Sequence, residues 1–161
     1  MTGMETQVWG SIVALHGWVE GRLARALQRR HDIGLSEYRA LRLLAAADDG
    51  ELRMQELSEL IGLNQSSVSR LVLRLESAGL TRRDVCSDDR RGVYTVITDE
   101  GRVRLAGADP TYEETLRVSL DEAAAHERYH LLVVTVDRPE GAADLVNALV
   151  ERETRSRQAH G

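Results

Sequence analysis

The stretch MQELSELIGLNQSSVSRLVLRLESAGL, Met54–Leu80, decides the fold. Met54, Leu57, Leu60 and Ile61 recur at helical spacing and stop at Gly62. Asn64 is a good N-cap for a second helix. In that helix Val68, Leu71, Val72, Leu75 and Ala78 form one apolar stripe, and Gly79 ends it with Leu80 following. Two helices joined by a short turn with a glycine must cross steeply, because so few residues leave no room for a gentler path. The second helix has a different face as well. Gln65, Ser66, Ser67, Ser69, Arg70 and Arg74 lie off the stripe. Short hydroxyls and an amide at a helix start approach phosphates and base edges closely. Arg70 and Arg74 are one turn apart and can reach a single groove.

Beyond Leu80 the period changes. Residues 80–85, LTRRDV, and 93–97, VYTVI, read as two strands around the polar tip Ser87-Asp88-Asp89-Arg90-Arg91-Gly92, which makes a hairpin. Arg90 and Arg91 at such a tip suit an adjacent minor groove, where narrow A·T tracts attract arginine. Thr98 then caps a helix with Asp99 and Glu100 in its first turn. Pro110 should kink that helix or open a new one. Upstream, Val8, Ile12, Leu15, Val19, Leu23 and Leu27 mark an amphipathic helix over about residues 5–31. Gly34 suits a left-handed cap there, and Ser36 can cap the next helix, with Tyr38, Leu41, Leu44 and Ala45 facing inward. Downstream, Leu131–Val136 is read as helix despite its β-branched content. Asp137 and Pro139 open a last helix with Ala142, Leu145, Val146, Leu149 and Val150 on one face.

Charge distribution points the same way. The 161 residues hold 21 basic and 26 acidic side chains, for a net charge of −5, and every basic residue except the five histidines is arginine. Residues 64–104 carry 8 Arg against 6 acids, whereas residues 1–63 carry 7 against 9 and residues 105–161 carry 6 against 11. The middle segment alone is net positive, a basic island in an acidic chain. A single cysteine, Cys86, excludes an intramolecular disulfide framework and a multi-cysteine zinc site. Neither a signal peptide nor an apolar run near the ~20 residues of a membrane span is present, so a cytoplasmic location is expected.

From Leu35 to Gly101 the chain resembles MarR-type transcriptional regulators. The carrying segments are LSEYRALRLL (35–44), QELSELIGLNQSSVSRLV (55–72), LESAGLTRR (75–83) and DDRRGVYTVITDEG (88–101), and the resemblance fades after about residue 117. It implies a mainly α fold with a small β wing: a winged helix-turn-helix plus a helical dimerisation region. The domains expected are an N-terminal dimerisation helix (1–34), the DNA-binding domain (35–104) and a C-terminal helical dimerisation region (105–161). It also implies a homodimer on a pseudo-palindromic operator, a wing aspartate (Asp89) bracing Arg91, and a small aromatic or anionic effector. Trp9, His16, Trp18, Arg22, Tyr38, Arg42 and Tyr112 are the candidate effector residues, since rings plus an arginine suit such a ligand. Each also fits a core or interface role.

Two other features compete for function. His126-Glu127-Arg128-Tyr129-His130 matches HExxH, which on a helix could bind zinc with the glutamate as general base. With charged Arg128 between the histidines and no third ligand placed, it reads as a chance match, and no catalytic residue, metal or cofactor is expected. Cys86 could sense oxidation through the wing, against the simpler reading of an inert small residue. A protein-interaction module that kept the fold and lost DNA binding is the third possibility.

Overall fold

The computed structural model describes residues 2–85, 93–130 and 132–133. Its elements run α1 (Thr2–His31), α2 (Leu35–Ala46), β1 (Glu51–Arg53), α3 (Met54–Ile61), α4 (Gln65–Ser77), β2 (Thr81–Val85), β3 (Val93–Ile97) and α5 (Asp99–Ala124). The chain divides into two compact units. One is Arg22–Thr115; the other comprises the described parts of Met1–Gly21 and Leu116–Gly161.

The core of the Arg22–Thr115 unit is aliphatic. Leu23, Leu27, Ile33, Leu41, Leu44, Leu57, Leu71 and Leu75 are essentially inaccessible, with Tyr38 among them. Burying each such side chain contributes about 1.5–3 kcal/mol. The stripe on α4 is buried at Val68, Leu71, Val72 and Leu75, but Ala78 is exposed, because it is the C-cap residue beyond the last turn. Gly79 then takes a left-handed φ of 72°, and the Leu80 N–H donates to the Leu75 carbonyl at 2.9 Å.

The wing is part of a three-stranded antiparallel sheet, ordered β1-β3-β2. β1 is not visible in the sequence pattern: three residues are too few to show alternation. It exists because β3 offers a free edge, pairing Glu51 with Val96, Leu52 with Thr95 and Arg53 with Tyr94. β3 is central, with Thr95, Val96 and Ile97 buried. At its end Thr98 Oγ1 donates to the Gly79 carbonyl (2.7 Å) and accepts from the Gly101 N–H (3.1 Å). One side chain thus ties the end of α4 to the start of α5.

Three local expectations are corrected. The left-handed residue after α1 is Asp32, with φ 49°, while Gly34 is extended and is itself the N-cap of α2. Ser36 therefore lies inside that helix rather than capping it. The Glu37 carboxylate takes over the capping by accepting the Gly34 N–H at 2.9 Å. Third, Pro110 opens no new helix: α5 runs through it to Ala124. Buried Leu105, Ala108 and Thr111 on either side of it hold the helix in place.

In the other unit, α1 presents Trp9, Ile12 and Val13 to solvent, at 65%, 41% and 50% exposure. Among the described residues no helix is long and apolar enough to cross a membrane. His130, Leu132 and Val133 are helical, and the expected last helix lies outside the described residues.

Candidate nucleic-acid interface

The α3–α4 junction is built from local chemistry. Gly62 closes α3 with a left-handed φ of 74°. Its N–H and that of Leu63 both reach the Ser58 carbonyl, and the Ser58 hydroxyl donates back to the Leu63 carbonyl at 2.6 Å. Asn64 caps α4: its Oδ1 accepts from the Ser67 N–H at 2.9 Å and from the Ser66 hydroxyl at 2.8 Å. The first turn of α4 holds no acid. Its N-terminal dipole therefore presents positive potential that no acid in that turn offsets.

The polar face of α4 is where the sequence places it. Gln65, Ser66 and Arg70 are exposed, and Ser67 and Ser69 are half-buried at its edge. Among the described residues, neither the Gln65 amide nor the Arg70 guanidinium has a hydrogen-bond or ionic partner. Arg74 differs. Its Nε lies 2.7 Å from Glu37 Oε1 on α2. On the wing side Arg83 Nε pairs with Glu76 Oε1 at 2.9 Å, and Arg82 with Asp84 Oδ2 at 2.8 Å.

Between α4 and the base of the hairpin lies a recess of about 310 Å³ lined by Met54, Gln65, Ser69, Arg83 and Val93. Arg83 and Val93 belong to the strands, so the recess joins the recognition face to the wing. Beside it, Arg53 Nε donates to the Tyr94 hydroxyl at 2.7 Å, with its guanidinium 5.2 Å from that ring. Arg53, Arg83 and Tyr94 escape sequence inspection because their neighbourhood depends on strand register. The arginine surplus of residues 64–104 points to Arg83 alone, since Arg53 lies outside that segment. Asp89, Arg90, Arg91 and Cys86 lie outside the described residues.

The fold and this exposed, capped helix can be compared with known proteins. The family model described as MarR family matches residues 31–92. A Streptomyces coelicolor MarR family regulator, Sco3205, solved in complex with DNA, is 33% identical, with 76% of each chain covered and a TM-score of 0.70. The chain belongs to the MarR family. An HTH-type transcriptional regulator of Bacillus subtilis, YdgJ, is 29% identical over 102 residues, a match that spans 63% of this chain but only 61% of that relative. The MarR protein CouR of Rhodococcus jostii, solved with p-coumaroyl-CoA, is 26% identical with a TM-score of 0.59, over 65% of this chain and 71% of its own.

The candidate effector residues divide between the two units. Within the Arg22–Thr115 unit, Tyr38, Arg42 and Tyr112 come together. The Tyr38 and Tyr112 rings stack at 4.6 Å, 20° from parallel, and the Arg42 guanidinium sits 5.8 Å from the Tyr112 centroid. Tyr38 donates its phenol to Asp109 Oδ1 at 2.7 Å. Its pKa is raised, first by burial and then by that bond to a carboxylate. Asp109 is 71 positions away in the chain and has no sequence signature linking it to Tyr38. Arg22 is half-buried in the same unit. Trp9, His16 and Trp18 belong to the other unit; the tryptophans are exposed, and His16 Nε2 lies 3.6 Å from Glu20.

The HExxH segment does not form the helix a zinc protease needs. Residues 125–129 are turn and bend rather than continuous helix, joined by one bond from the His130 N–H to the His126 carbonyl at 3.0 Å. His126 Nδ1 accepts the Arg128 N–H at 3.3 Å, and His130 Nδ1 donates to the Ala124 carbonyl at 2.8 Å. Among the described residues no group of three or more His, Cys, Asp or Glu is placed to hold a metal ion.

Proposed function

We propose that the protein is a cytoplasmic, sequence-specific DNA-binding regulator of transcription. In this reading it acts as a homodimeric repressor on a pseudo-palindromic operator. The observation that carries the reading is the Asn64-capped α4, whose acid-free N-terminal half exposes Gln65, Ser66 and an Arg70 with no partner among the described residues. This helix enters the major groove. Gln65, Ser66, Ser67, Ser69 and Arg70 contact bases and phosphates, and Arg91, braced by Asp89, reaches the minor groove with Arg90 beside it. The Streptomyces relative solved in complex with DNA supports DNA as the partner.

Homodimerisation is supported by the exposed Trp9, Ile12 and Val13 on α1, large apolar groups at helical spacing that a second copy would remove from water. Two-fold symmetry then places two copies of α4 about 34 Å apart, in successive major grooves. Release by a small aromatic or anionic effector rests on the Tyr38–Tyr112–Arg42 cluster and on the acyl-CoA-bound Rhodococcus relative. Arg22, in the same unit, is the other residue proposed for it.

The test is selection of bound duplexes from random DNA, followed by titration across salt. The wild type should select an inverted repeat. Arg70→Ala should weaken binding and lower the salt slope by about 0.9 per lost phosphate contact. Failure to enrich any duplex would remove the reading.

A further inference from the structure

Both ends of the α4 arginine pair face the same solvent, yet only one is unengaged. Arg70 has no partner among the described residues, whereas Arg74 holds Glu37 at 2.7 Å. Glu37 does two things at once. Its Oε2 accepts the Gly34 N–H that opens α2, and its Oε1 receives Arg74. The pair is less exposed on the acid side, with Glu37 at 20% and Arg74 at 58%. The next residue, Tyr38, is buried, hydrogen-bonded to Asp109 and stacked on Tyr112 of α5. The first turn of α2 is therefore a fixed point. On the opposite flank of α4, Glu76 pairs with Arg83 of β2. The C-terminal half of α4 is tied to α2 at position 74 and to the wing at position 76, and its N-terminal half is left open.

We propose that Glu37 and Arg74 are positioning residues for DNA binding. Their ion pair sets how α4 projects from α2, and Arg74 makes no DNA contact of its own. The inference rests on the DNA-binding reading above. It departs from the sequence expectation, which puts Arg74 beside Arg70 in one groove. An arginine already engaged by a partly buried carboxylate must give up that bond to reach a phosphate. Among the described residues Arg70 has no such bond to lose. Position 74 lies a full turn further from the capped helix start, where base-contacting residues of such helices sit.

The test uses Glu37→Gln, Arg74→Gln, the double variant and Arg74→Lys on the full chain with its selected operator. Positioning predicts that the two single variants weaken binding by a similar factor, about threefold to tenfold, from loss of an ion pair in each subunit. The double variant should bind no worse than either, and the salt slope should match the wild type. Arg74→Lys, which keeps a cation opposite Glu37, should recover part of the loss. A DNA contact predicts the opposite pattern. Arg74→Gln would lower the salt slope by about 0.9 per subunit, and Glu37→Gln would tighten binding by releasing the arginine. A second readout needs no DNA. Both single variants should shift the same backbone amide resonances across residues 65–77 of the free protein. Shifts confined to the mutated residue's neighbours would overturn the proposal, even if no operator were found and the DNA-binding reading itself had failed.

Discussion

Gly101 and Gly107 lie in the same helix, and replacing each with alanine should change stability in opposite directions. Alanine is the better helix former by about 0.8–1 kcal/mol, so propensity alone favours both substitutions. Space decides otherwise at one of them. A Cβ on Gly101 would overlap the Leu80 carbonyl oxygen and lie 2.9 Å from Ile97 Cγ1, whereas one on Gly107 would meet nothing within 4 Å. The Leu80 carbonyl cannot move freely, because it accepts the Thr98 N–H at 3.1 Å. That bond holds the junction of α4, the wing and α5. Making room loses or stretches it, at about 1 kcal/mol, and forced packing adds about 1–3 kcal/mol. After the gain in propensity, Gly101→Ala should lose roughly 2 kcal/mol. For a chain of this size that is a fall of about 4–8 °C in melting temperature. Gly107→Ala should be neutral or up to about 1 kcal/mol more stable. Urea titrations of the two variants and the wild type, followed by circular dichroism, measure both. If Gly101→Ala unfolds at the wild-type urea midpoint, or Gly107→Ala loses as much, the steric account of this junction is wrong.

Asn64→Ala should cost about 1 kcal/mol of stability by leaving the Ser67 N–H uncapped, and Asn64→Asp should restore most of it; thermal melts decide. Tyr38 gives a prediction in pH. Its folded phenol ionises above the usual value of about 10, first because it is buried and then because it donates to Asp109. The unfolded chain therefore loses the proton first, so stability present below pH 10 declines as pH rises past it. The chain has no lysine, so no side-chain ammonium titrates in that window. Urea midpoints between pH 8 and 11 should fall more steeply for the wild type than for Tyr38→Phe; parallel curves would refute the linkage. Arg91→Ala should weaken operator binding with a smaller salt slope, as loss of a minor-groove or phosphate contact requires. Unchanged affinity and slope in a filter-binding titration would count against that wing assignment.

The features legible in the sequence are those that depend on near neighbours in the chain. Asn64, Gly62, Gly79 and the Val68–Leu75 stripe act within one or two helical turns, so spacing alone reveals the α3–turn–α4 unit and the face that carries Gln65, Ser66, Ser67, Ser69 and Arg70. Thr98 as a cap and the β-branched run of β3 are equally local. Predictions went astray where two local solutions were close in energy. Asp32 takes the left-handed position assigned to Gly34, and the helix start assigned to Ser36 moves to Gly34, because the Glu37 side chain three residues on reaches back to the Gly34 N–H.

The acidic balance of the chain, −5 overall, follows from composition alone, and so does the arginine surplus of residues 64–104. Which of those arginines remain available is a different matter. Arg74 meets Glu37 across 37 positions, Tyr38 meets Asp109 across 71, and Arg53 meets Tyr94 across 41. No periodicity encodes such pairs. They arise only when α2, α4, α5 and the sheet pack, since a three-residue strand such as β1 gains its hydrogen bonds from β3 and from nowhere else. The sequence by itself determined a capped recognition helix and a hairpin, because hydrogen bonds within a turn or two decide them. Tertiary structure alone decided that Arg74 is held while Arg70 has no partner among the described residues, because the carboxylate that makes the difference comes from another helix.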